Sequence, residues 1–267
     1  MNIIQEIKNE LKVFDNILFD EKSHTYTLLG DHPIKARISM TSLIHKYVNE
    51  FNTQEQAKRY SEKHKIPIED VLAKWKFEGD YASRKGTAIH NYLENKFSNK
   101  PDFMYDIKEI EDYFGKDVLA EAWVKLKDLA IMFYEQMHEF IIPIACELKV
   151  FDKETKVAGA IDMLAYHIKS KQLIIIDYKS SKNIFKRTLY NEYMLNPLSH
   201  LPDINYYHYS LQLNGYKYII EKNTKLHLAK QHYIIWINEK NDEPIIIPTL
   251  NLYKEAKLII DAEKYNS

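Results

Sequence analysis

The sequence predicts an α/β or α+β chain, a central mixed sheet built around an antiparallel meander and flanked by helices. Three observations predict it. Residues 144–151 (IACELKVF), 157–167 (VAGAIDMLAYH) and 172–179 (QLIIIDYK) are strand-like runs joined only by DKET and IKSK, connections short enough to require antiparallel neighbours. Upstream, Ile89, Leu93 and Phe97 recur at i, i+4 and i+8, an apolar stripe of helical period. Downstream, residues 205–221 return to a helical pattern before a further strand pair, HYIIWIN and EPIIIPTL.

In chain order, VFDNILFD and HTYTLLG divided by the polar DEKS predict a β-hairpin over residues 13–30. Thr41 or Ser42 then caps a helix over LIHKYVNEF. Residues 54–80 read as two short, charge-rich helices broken near Ile66-Pro67, and residues 80–97 as the next helix. Helices continue over 106–139 until Pro143, and the chain ends in a helix over 250–264. Without an internal repeat or flexible linker, residues 1–267 form one domain, with 1–80 a hairpin and helical region and 81–267 the core.

The 45% hydrophobic content supports a sizeable core, and a net charge of −1 gives no global basic field, so binding to a polyanion must come from local patches. One cysteine, Cys146, excludes a disulfide framework or a cluster of cysteine ligands within the chain. The N-terminal MNIIQEIKNELKVF lacks the apolar core of a secretory signal, and no run approaches the roughly eighteen apolar residues of a membrane span. The expectation is a cytoplasmic protein of a bacterial or phage-infected cell that makes no membrane contact. Six glycines beside twenty tyrosines reflect compositional bias and carry no functional signal.

The chemistry concentrates at the ends of the second and third strands of the meander. Side chains two apart on a strand share a face, so Leu173, Ile175, Asp177 and Lys179 point one way. An antiparallel turn brings Asp162 opposite Asp177. Two carboxylates held together repel unless a cation lies between them. Oxygen ligands favour a hard ion, Mg²⁺ or Mn²⁺. Lys179 beside such an ion can position a water and offset charge on an in-line phosphoryl transition state, giving phosphodiester hydrolysis. His90 and Glu94, four apart, occupy the helix face next to Ile89 and Leu93 and can look at one sheet edge.

These residues resemble the PD-(D/E)XK nuclease superfamily, in particular its RecB-like and phage-type exonuclease branch, which includes the mitochondrial genome maintenance exonuclease. The resemblance runs through "HTY", "SMTSLI", "GTAIHNYLE", "AGAID", "IIDYKSS" and "QLNGY", six segments in order along most of the chain. It implies a restriction-endonuclease-like core, a metal held by His90, Asp162, Asp177 and the backbone carbonyl of Tyr178, and Lys179 as the catalytic lysine. Gln212 and Tyr216 match a Q-x-x-x-Y helix that lies near the site and the DNA strand in relatives. The aspartate of "GAID" lacks the preceding proline of the literal motif. With one cysteine the chain cannot be an iron–sulfur member of the superfamily, and it carries no Walker A string and no nucleotide-cofactor signature.

Glu94 and Glu147 are further candidates, as partners of the ligands or as ligands of a second ion. Ser180, Ser181, Lys182, Lys186, Arg187 and Tyr190, with Tyr193, supply hydroxyls, cations and rings to a DNA strand. The expected function is a metal-dependent DNA exonuclease acting from a strand end, with DNA that is single-stranded or carries a free end as partner, in replication, recombination or repair alongside proteins of those processes. The alternatives are a structure-specific or nicking endonuclease, and a non-catalytic DNA-binding recombination subunit; the latter predicts a lost acid or lysine, and none is lost.

Overall fold

A computed structural model describes residues 2–99, 119–186 and 192–265. The first amphipathic stretch forms α1 (Ile3–Leu11), which seats Ile7 and Leu11 on the core. The hairpin expected over residues 13–30 is shorter: Lys12–Phe14 is a 3-10 turn, and the strands are β1 (Ile17–Asp20) and β2 (Thr25–Leu28). β3 (Ile34–Lys35) completes a small antiparallel sheet in the order β1-β2-β3.

The main sheet has six strands and is mixed. β4 (Ile38–Ser39), β5 (Ile141–Asp152), β6 (Val157–His167), β7 (Gln172–Lys179), β8 (Tyr233–Trp236) and β9 (Ile245–Pro248) contribute to it. The path runs β4-β6-β7-β8-β9, with β5 along the other edge of β6. β5, β6 and β7 form the expected antiparallel meander. Asp152 builds the first turn, its Oδ2 accepting from Thr155 N at 3.1 Å and Thr155 Oγ1 at 2.7 Å, while Lys222 pairs with it at 2.8 Å. β7 and β8 run parallel, which demands a crossover; α6 (Asn205–Asn223) lies within it.

Helices cover both faces. α2 (Met40–His45) is capped by Ser39, two positions before the nearer of the expected caps, its Oγ accepting from Ser42 N at 3.1 Å. α3 (Thr53–His64) ends at Lys65, whose φ of 55° turns the chain into Pro67. From Ile68 the chain stays helical to Phe97, so the second short helix and the one after it are a single 30-residue α4. The stripe Ile89, Leu93 and Phe97 is buried against α5 (Leu119–Met137) and the sheet. Pro143 lies inside β5, not at a helix end; the strand absorbs it through a register shift between Pro143 and Ala145. α7 (Tyr253–Ala262) closes the described fold.

Strand alternation sorts the core into two layers. On β7, Leu173 and Ile175 join α1, α2, α6 and α7, whereas Ile174, Ile176 and Tyr178 join α4 and α5.

Candidate metal and phosphoryl-transfer site

Where the main sheet parts, its polar groups converge. β7 pairs with β6 only up to Ile176–Met163, and β4 occupies the same edge of β6 at Val157 and Ala158. Between them β6 has a gap that contains Asp162. Continuing the register would place Asp162 opposite Asp177; instead the strands part, and Tyr178 N donates to Asp162 Oδ2 at 2.7 Å. Asp162 fills a backbone vacancy in the ladder, which fixes its carboxylate.

α4 brings His90 against this gap. Its Nδ1 lies 3.3 Å from Asp162 Oδ1, and its Nε2 lies 3.0 Å from the carbonyl oxygen of Tyr178. Glu147 arrives from the other side of β6, since the pairs Cys146–Met163 and Leu148–Ile161 leave Glu147 facing Asp162. Ligand atoms of His90, Glu147 and Asp162 lie within 4.8 Å of one another. Glu147 has φ 49°, a left-handed backbone that costs a residue with a Cβ about 1–3 kcal/mol.

The electrostatics are those of crowded acids. Burial, reinforced by the Asp162 charge, pushes the Glu147 carboxyl up to about 7. Burial opposes ionisation of Asp162 too, but His90, Lys179 and the Tyr178 amide outweigh it and hold the carboxyl below its usual range. Asp177 is raised to about 6 by burial, with Lys179 opposing and Asp162 adding to the rise. Burial works against the cation of His90, yet Asp162 lifts the imidazole to about 9. Lys179 sits 2.5 Å from Asp177 Oδ2 and 4.9 Å from the centroid of the Tyr209 ring. Desolvation is outweighed by Asp177 and Asp162, so its ammonium is held well above the ordinary range.

The donor set fits a hard divalent cation. One imidazole nitrogen and two carboxylates converge, the Tyr178 carbonyl lies against the same imidazole, and the buried Asp177 Oδ2 has its ion pair with Lys179. His90 thus lies between Asp162 and the Tyr178 carbonyl, and Asp177 pairs with Lys179. Glu147 stands closer to the centre than its place at the start of a strand-like run foretold. Glu94 acts on Glu147 through its charge.

The remaining candidates separate. Tyr216 is buried against Gly159, where a Cβ would lie 2.5 Å from its Cε1, and its hydroxyl accepts from Gln212 Nε2 at 3.0 Å. The glycine of "GAID" is thus required by that ring. Ser180 Oγ approaches Gly86 of α4, and the Ser181 carbonyl accepts from Trp236 Nε1 at 2.8 Å and Asn238 Nδ2 at 3.1 Å. Lys182 pairs with Glu78 at 3.0 Å, Lys186 is exposed, and Arg187 and Tyr190 lie outside the described residues. Tyr209, Trp236, Asn238 and the Lys85–Glu239 pair at 2.7 Å, which ties α4 to the loop after β8, support the site without a sequence signature.

No family model and no curated protein matches the chain. Among solved structures it is similar to a protein described as a "putative exonuclease" from Eubacterium rectale, with 16% identity and a TM-score of 0.43. The match covers 67% of this chain and 64% of that one. Among the described residues no helix is long and apolar enough to cross a membrane.

Proposed function

We propose that the protein is a metal-dependent deoxyribonuclease of the PD-(D/E)XK type that hydrolyses phosphodiester bonds from a DNA end. The observation that carries this reading is the convergence of His90, Glu147 and Asp162 beside the Asp177–Lys179 pair. A non-catalytic binding subunit has no need of that arrangement, in which acids are crowded and backbone strain is held at Glu147.

Asp162, His90, Glu147, the Tyr178 carbonyl and Asp177 would hold Mg²⁺ or Mn²⁺. When bound, such an ion supplies Lewis-acid polarisation of a phosphoryl oxygen and acidifies a water. Against the cost of its burial, Asp162 is favoured in ionised form by His90 first, then by Lys179 and the Tyr178 amide, and so is ready to take up a cation. Against the cost of burial, Asp177 and Asp162 favour the cationic form of Lys179, which suits it to clamp the phosphate and position the attacking water. Asp177 positions that ammonium, and the Tyr209 ring limits its swing.

The deciding experiment incubates wild type and Lys179→Ala with end-labelled linear and circular single-stranded DNA, and with a linear duplex, in Mg²⁺, Mn²⁺ or EDTA. Metal-dependent loss of linear DNA alone, reduced by about 10²- to 10³-fold or more in the variant, is the expected result. Cutting of the circle would assign an endonuclease, and binding without cutting of any substrate would overturn the enzymatic reading.

A further inference from the structure

Beyond the metal site, the surface next to it holds a ledge of aromatic rings. Phe51, in the loop between α2 and α3, leaves 65% of its surface in solvent. Its ring leans on Trp75 of α4 with centroids 6.1 Å apart. Trp75 is backed by Tyr60 of α3 at 5.9 Å, and Tyr60 stacks on His64 at 4.2 Å. A ring braced from behind and open in front is preorganised for stacking, with little side-chain entropy left to lose.

The ledge borders a cleft of about 760 Å³ floored by Gly79 and Ala82 of α4 and walled by Lys76, Ser181 and Lys182. A second cleft of about 430 Å³ adjoins it across Phe51, Ser181 and Lys182, and includes Lys186. The segment 179–186, KSSKNIFK, carries three lysines and no acid. Ser181 belongs to the wall of both clefts, and its Oγ is buried just behind without a hydrogen-bond partner. Of the acids that line the clefts, Glu78 is engaged by Lys182 in an exposed pair that costs at most about 1 kcal/mol to break. Asp203 is held by His208 at 2.8 Å and by the Asn49 backbone N–H, and Glu192 lines the second cleft beside it.

Gly79, Ala82, Gly86 and His90 follow one another at three- and four-residue intervals along α4, so they lie on one face. Gly79 and Ala82 floor the cleft, Gly86 meets Ser180, and His90 meets Asp162. From Gly79 to His90 the face runs about 16 Å, the length of about five stacked nucleotides.

We infer that this cleft is a subsite for an unpaired nucleic acid strand, a base stacking on Phe51 against Trp75 while phosphates pass Lys182 and Ser181 towards Lys179. Apolar rings alone would suit a protein partner as well. The acid-free run of cations and the continuous face leading to the candidate site favour a strand. The inference rests on the nuclease reading for the direction of the strand, but its binding step can be read separately.

The test measures binding of fluorescein-labelled (dT)20 by anisotropy in EDTA, for wild type, Phe51→Ala, Phe51→Tyr and Lys182→Ala. It is paired with hydrolysis of DNA and of the small phosphodiester bis(p-nitrophenyl) phosphate in Mn²⁺. Phe51→Ala should weaken (dT)20 binding about 5- to 150-fold, Phe51→Tyr should restore it, and neither should change hydrolysis of the small substrate, which does not reach the ledge. Lys182→Ala should lower affinity and flatten its salt dependence. If wild type binds and cleaves DNA but Phe51→Ala binds (dT)20 as tightly, the subsite is overturned, the ledge falls to a protein partner, and the nuclease reading stands. Equal competition by blunt duplex also overturns it. Phe51-dependent binding without hydrolysis of any substrate would keep the subsite and overturn the nuclease.

Discussion

Glu147 shows what a single position can hold against stability. It sits in the left-handed region, is pushed towards neutrality by burial, and faces Asp162. Replacing it with glycine removes the strain of about 1–3 kcal/mol, of which glycine's own entropy returns about 0.5–1 kcal/mol. Glu147→Gly is therefore expected to be more stable than wild type by about 1 kcal/mol in EDTA, by thermal or urea unfolding, while losing at least about tenfold in metal-dependent cleavage. Added Mg²⁺ should narrow the stability gap, since the ion stabilises wild type more. Equal stabilisation of both by Mg²⁺ would remove Glu147 from the metal's ligands. At this scale much of the site was legible. Strand alternation puts Asp177 and Lys179 on one face, and helical spacing lets His90 look at a sheet edge, whereas the roles expected of them and of Asp162 rested on the resemblance. The expected pairing of Asp162 with Asp177 gives way to strands that part. Glu147 was harder to place because the local irregularity of β5 is written in no motif.

Between elements, close approach takes over from pattern. Gly159 lets α6 lay Tyr216 across β6, and a Cβ there would come within 2.5 Å of the ring. Gly159→Ala is expected to cost about 1–3 kcal/mol, and Tyr216→Leu in the same chain should recover part of it, as measured by a double-mutant cycle in urea. Additive losses would refute the contact. The strand order within the meander could be read from its short turns. The merging of two predicted helices into α4 could not, because the polar and exposed face of residues 68–80 carries a weak stripe that only the packing of Val71 and the later apolar positions resolves. Likewise, no local signal says that β4, two residues long, will sit parallel to β6 and help to open the gap around Asp162.

For the molecule as a whole, His232 links stability to pH. It is fully buried, accepts from Ile175 N at 3.2 Å, and has a buried Nε2 without a partner. Burial, helped by the Lys217 charge, holds the imidazole down to about 3. The unfolded chain takes up this proton below about 6.5 and the folded one does not, so the contribution is complete above that pH and is lost as the pH falls towards 3. The slope should approach about 1.4 kcal/mol per pH unit, and His232→Gln should flatten it in urea titrations between pH 7 and 4. An unchanged slope would assign the acid sensitivity elsewhere. The two core layers on either side of the sheet followed from alternation, whereas the crossover that makes β7 and β8 parallel was set by distant packing. Finally, α4 runs unbroken from the aromatic ledge to His90, and a helix carries phase as well as length. Adding or removing one residue between Ala82 and His90 would rotate everything upstream by about 100°, swinging the cleft floor away from the sheet. That stretch can drift in side chains, but it is closed to insertions and deletions in a way that the loops around it are not.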